Sequence, residues 1–63
     1  MPVVHVYMWT GRPSEVKEKI IEGITKVFTD IGVPQEAVTV VIHEIPRDNW
    51  GVRGKPASKA IPV

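Results

Sequence analysis

Val38-Thr39-Val40-Val41-Ile42-His43-Glu44-Ile45 carries apolar side chains on both faces of an extended chain. Val38, Val40 and Ile42 share one face, and Val41 and Ile45 share the other. A strand with one wet face alternates apolar and polar, whereas a strand covered on both sides reads as a nearly continuous apolar run, most often in a parallel sheet. A parallel neighbour has to be reached through a crossover, and the upstream sequence supplies one. Residues 3 to 9, Val3-Val4-His5-Val6-Tyr7-Met8-Trp9, are rich in β-branched and aromatic types and read as the first strand. Val4, Val6 and Met8 form a uniformly apolar face, and Val3, His5, Tyr7 and Trp9 form the other.

The first strand stops at the turn signal Thr10-Gly11. Beyond Arg12, Pro13 is tolerated at a helix's first turn, and Glu15 and Glu18 suit the positive end of its dipole. Val16, Ile20, Ile24, Val27, Phe28 and Ile31 recur at spacings of three and four, widened by Ile21. Glu15–Lys19 and Glu22–Lys26 are favourable pairs one turn apart. Gly32 and Pro34 end a helix of about four to five turns. Strand, helix, strand makes a right-handed crossover with parallel strands. One helix covers only one sheet face, so a second subunit is expected on the other. Downstream, Pro46 to Asn49 read as a loop, Trp50 to Pro56 as a short glycine-punctuated hairpin, and Ala57 to Val63 as a tail whose apolar end Ile61-Pro62-Val63 docks on a neighbour. The fold class is α+β: a single β-α-β unit with parallel strands plus a short C-terminal hairpin, one domain over residues 1–63, assembling as an oligomer.

Composition agrees with an assembly. A chain of 63 residues buries only about 60% of its unfolded surface, yet 43% of this one is hydrophobic. The absence of cysteine excludes disulfides and thiolate metal sites. His5 and His43 alone make no convincing metal cage and read as strand-packing or interface residues. A net charge of +1 gives no strong field toward nucleic acid or membrane. From residue 46 onward, however, Arg47, Arg53, Lys55 and Lys59 face a single acid, Asp48, which fits a local preference for anions or, equally, a solvated basic tail. No apolar run approaches the ~20 residues of a membrane span. No signal-peptide pattern opens the chain, so a cytoplasmic protein is expected.

Pro2, directly behind Met1, is a candidate base, although a small second residue that lets the initiator be trimmed gives the same dipeptide. Inside a peptide bond its nitrogen has no proton; with Met1 removed it becomes a free secondary amine fixed by its ring. A terminal amine titrates near ~8, and an apolar or cationic surrounding lowers that value toward the range in which a general base works.

These features together resemble the 4-oxalocrotonate tautomerase family, the short-chain group of the tautomerase superfamily. The resemblance covers nearly the whole chain: Met1-Pro2 and a strand, Gly11-Arg12 leading to Ser14-Glu15, the strand Val38 to Glu44, Trp50 before Gly51, and Gly54-Lys55-Pro56-Ala57-Ser58-Lys59. It implies a homohexamer built as a trimer of dimers. It implies a cofactor-free isomerase in which Pro2 moves a proton in an enol or 2-hydroxydienoate acid, such as 2-hydroxymuconate. Arg12 is implied to bind the carboxylate of this small-molecule substrate, where a plain helix-start cation is the competing reading. Val3, Trp9, Trp50 and Val52 fall on pocket-lining positions. Thr39 stands where the best-studied members carry a second arginine that acts from a neighbouring subunit. Arg53, at a position where the family often has glycine, is the candidate substitute within the substrate site, with Arg47 as another. Related dehalogenases activate water with an acid where this chain has Val52, which disfavours hydrolytic dehalogenation. The competing function, favoured by Thr39, is a non-catalytic or weakly active subunit of a homo- or hetero-hexamer. An RNA-binding module would need interleaved exposed aromatics and a strongly basic face.

Overall fold

The computed structural model describes residues 1–61. Strand β1 (Val3–Trp9) leads into helix α1 (Ser14–Asp30), and a single 3-10 turn (Gln35–Ala37) precedes strand β2 (Thr39–Ile45). A second 3-10 turn (Arg47–Asn49) is followed by strands β3 (Gly51–Val52) and β4 (Lys55–Pro56) and by the short helix α2 (Ala57–Ala60). β1 and β2 pair in parallel, with Val3 opposite Thr39 and Trp9 opposite Ile45, while β3 and β4 form an antiparallel hairpin.

Local chemistry sets the boundaries. Pro13 stands one residue before α1, extended at φ −68°, ψ 161°, and its carbonyl accepts the Val16 and Lys17 N–H groups. At the far end Gly32, at φ +100°, allows a Schellman closure: Val33 N–H donates to Phe28 O and Gly32 N–H to Thr29 O. β2 begins at Thr39 rather than Val38, because the Val38 N–H closes the 3-10 turn on Gln35 O at 3.2 Å. The Thr39 N–H opens the ladder, donating to the carbonyl of Pro2, one residue before β1, at 3.1 Å. The expected loop 46–49 is a hydrogen-bonded 3-10 turn, and the expected tail begins with α2. Residues 62 and 63 of the apolar end lie outside the described residues.

The helix covers one sheet face only. Val4, Val6 and Met8 are half-buried there, and Glu44 on that face receives Lys17 Nζ at 2.8 Å. The expected pairs Glu15–Lys19 and Glu22–Lys26 are not among the ion pairs of the described residues. Lys17 reaches the sheet, and Lys26 turns to Asp30 at 2.7 Å, offsetting a carboxylate at the negative end of the helix dipole. Ile20, Ile24 and Phe28 line the contact, but Val27 and Ile31 stay 62% and 73% exposed because two strands are too narrow to meet the whole apolar stripe. The second sheet face, carrying Val3, His5, Tyr7, Val41 and His43, has no helix over it. Val3 and Tyr7 are 52% and 60% exposed there.

Ala57 is the single fully buried hydrophobic residue among those described. The accessible surface of 4801 Å² exceeds the roughly 4,000 Å² expected of a folded 7.0 kDa monomer. The radius of gyration of 14.7 Å likewise exceeds the ~11 Å typical of a compact domain of this length.

Candidate functional site

The two ends of the β1–β2 ladder hold different groups. At the start lie Pro2, Val3 and Thr39. Pro2 is half-buried and tied to the first rung through its carbonyl, which accepts the Thr39 N–H, so its ring is fixed relative to the sheet. Met1 acylates its nitrogen in this sequence but is 93% exposed, so removing Met1 gives up almost no packing.

At the other end the Thr10 N–H donates to Ile45 O at 3.2 Å, and Gly11, at φ +112°, turns the chain into Arg12. Trp9 meets Trp50 edge-on, with ring centroids 6.0 Å apart at 82°. The Arg47 guanidinium lies 5.0 Å from the Trp9 ring centroid. Its Nη2 donates to the carbonyl oxygens of Ala57, at 3.2 Å, and of Ile61. The Ala57 N–H in turn donates to Trp50 O at 2.6 Å, and Ser58 Oγ donates to Asp48. These bonds lash the hairpin and α2 to the tryptophan pair. Trp9 Nε1 and Arg47 Nε are buried there without hydrogen-bond partners.

The sequence-predicted residues therefore divide. Trp9, Arg12, Trp50, Val52 and Arg53 belong to one end, and Pro2, Val3 and Thr39 to the other. Six residue steps of β1 separate Val3 from Trp9, about 20 Å at a rise of ~3.3 Å per residue. No small carboxylic acid spans that distance, so one copy of the chain does not gather the set by itself.

The arginines also separate by environment. Arg12 and Arg53 are exposed and make no hydrogen bond or ion pair among the described residues. Arg47 is engaged with carbonyls and a ring, a role that no local pattern signals, since its acceptors lie ten and fourteen residues away. Arg53 sits at φ +55°, a left-handed conformation that costs a non-glycine residue on the order of 1 kcal/mol.

His5 and His43 also come together on the open sheet face. Their Nδ1 and Nε2 atoms are 2.8 Å apart, and His43 stacks on Tyr7 with centroids 4.5 Å apart. Among the described residues no cluster of three His, Cys, Asp or Glu side chains is gathered for a metal ion. Nor, among the described residues, is any helix long and apolar enough to cross a membrane.

Comparison with known proteins gives a consistent result. Residues 2–60 match the family described as tautomerase enzyme. The chain is 38% identical over 60 residues to the 2-hydroxymuconate tautomerase of Comamonas testosteroni, covering 94% of this chain and 95% of that protein. A solved structure of a 4-oxalocrotonate tautomerase isozyme from Methylibium petroleiphilum superposes with a TM-score of 0.87 at 36% identity, covering 95% and 98% of the two chains. A chain of the heterohexamer 4-oxalocrotonate tautomerase from Chloroflexus aurantiacus superposes with a TM-score of 0.84 at 25% identity, covering 94% and 97%.

Proposed function

This chain belongs to the tautomerase enzyme family and is an isomerase of that kind, and we propose that it uses the amine of Pro2, freed by loss of Met1, as its general base. The substrate is an enol or 2-hydroxydienoate acid of the 2-hydroxymuconate type. Pro2 takes the enol proton and returns it at a distal carbon, so no cofactor enters the cycle. Arg12 holds a carboxylate and draws electron density toward it as the negative charge shifts. Trp9, Trp50, Val3 and Val52 keep water out, which strengthens the pull of the arginine and disfavours the charged amine.

The observation that supports this reading best is the state of Pro2. It is anchored to the ladder by its carbonyl behind an exposed Met1, and the family match begins at Pro2 itself. The site is completed by assembly. The Pro2 end of one copy meets the Arg12 and Trp50 end of another, within a cytoplasmic homohexamer built as a trimer of dimers.

The deciding experiment is an ultraviolet assay of enol-to-keto conversion of 2-hydroxymuconate, run on protein whose intact mass shows loss of methionine. Covalent trapping of the terminal amine should abolish the rate. Methionine-retaining protein that is equally active would refute the role of Pro2.

Thr39 favours a second reading, in which this chain is the non-catalytic partner in a mixed hexamer. A neutral hydroxyl stands beside Pro2 where the resemblance calls for a cation. Processed protein that is inactive alone but active when combined with a second chain type would select this reading.

A further inference from the structure

The β3–β4 turn places Arg53 at φ +55° and Gly54 at φ +79°. Two successive left-handed residues define the tightest hairpin turn, whose first central position favours Asn, Asp or Gly. Arginine is a poor occupant there because its Cβ crowds the backbone. No local contact offsets this: among the described residues the exposed Arg53 side chain bonds to nothing.

We propose that Arg53 is kept in this strained turn to bind the second anionic group of the substrate, the task that neutral Thr39 cannot perform. The inference rests on the isomerase reading above and narrows its substrate class to dicarboxylate enols. Arg12 and Arg53 leave the same end of the molecule. Arg12 follows the turn after β1, and the hairpin springs from Trp50, which is packed edge-on against Trp9 at the end of β1. Both guanidiniums are exposed and unengaged among the described residues, so each is available as a planar fork for a carboxylate. Arg47, the other candidate, is already committed to the carbonyls of Ala57 and Ile61 and to the Trp9 ring. A two-residue turn holds the Arg53 backbone rigidly, so less freedom is lost when a ligand is bound.

Arg53→Gly is the discriminating variant, because glycine adopts this φ without strain and the fold is kept. Its kcat/KM is measured with 2-hydroxymuconate, which has two carboxylates, and with phenylenolpyruvate, which has one. The ratio of the two values should fall about tenfold or more, through KM, as expected for loss of a charge-assisted contact. Arg53→Lys should recover part of the ratio. An unchanged ratio, or a lowered thermal midpoint in Arg53→Gly, overturns the proposal. Calorimetric binding of two unreactive acids, 2,4-hexadienedioate and 2,4-hexadienoate, separates this inference from the reading beneath it. Should the wild type turn over neither substrate, the isomerase reading falls. Selective loss of diacid binding in Arg53→Gly would still uphold Arg53, and equal binding of both acids by variant and wild type would overturn it.

Discussion

Replacing Tyr7 with lysine tests whether the open sheet face is an interface. Tyr7 is 60% exposed in one copy. A tyrosine presents about 200 Å², so roughly 120 Å² would be withdrawn from water if a neighbouring copy covered it. At ~25 cal/mol per Å² that burial is worth about 3 kcal/mol per subunit, before any cost of burying the new ammonium. On a surface facing solvent, the same change loses only the stack on His43, about 1 kcal/mol at most. The wild type exposes about 800 Å² more than a compact 7 kDa protein would, close to one partner's share of a standard interface. Sedimentation velocity should therefore give an oligomer for the wild type and a shift to smaller species for Tyr7→Lys. Urea midpoints should rise with protein concentration in the wild type and fall strongly in the variant. A monomeric wild type with a concentration-independent midpoint would refute the reasoning, as would a variant indistinguishable from it in mass and midpoint.

Four further outcomes are expected. Pro2→Ala, processed to a free primary amine, should keep measurable but reduced turnover of 2-hydroxymuconate in the ultraviolet assay. Arg12→Ala should lower kcat/KM for carboxylate substrates about ten- to hundredfold with little change in thermal midpoint, because its side chain is bonded to nothing among the described residues. Arg47→Met should destabilise by about 2–4 kcal/mol in urea titration, losing hydrogen bonds from a charged donor to two carbonyls and the contact over Trp9. Gly32→Ala should cost on the order of 1 kcal/mol in the same titration, since Gly32 sits at φ +100°.

The β-α-β unit was legible because each of its elements has a local period. Residues 3–9 and 38–45 alternate between two faces, and the isoleucines of α1 return every turn. The Gly54 turn and the stop at Gly32 were legible for the same reason, since each depends on one residue's backbone freedom. What escaped the sequence depends on distant partners. Lys17 chose Glu44, 27 residues away, over neighbours on its own helix. Arg47 found main-chain carbonyls, which no side-chain pattern announces. The candidate residues were legible by type and order. The return of Trp50, and with it the hairpin, to the Trp9 end of β1 was not, because that contact joins residues far apart in the chain.

The division of the candidate residues between the two ends of β1 has a genetic consequence. With Pro2 at the start of β1 and Arg12 beyond its end, the proposed pocket would borrow its base from one polypeptide and its guanidinium from another. Two disabled alleles, one altered at Pro2 and one at Arg12, would then complement each other when co-expressed. In random equal mixtures about one pocket in four would receive both intact groups. Either allele alone would stay silent.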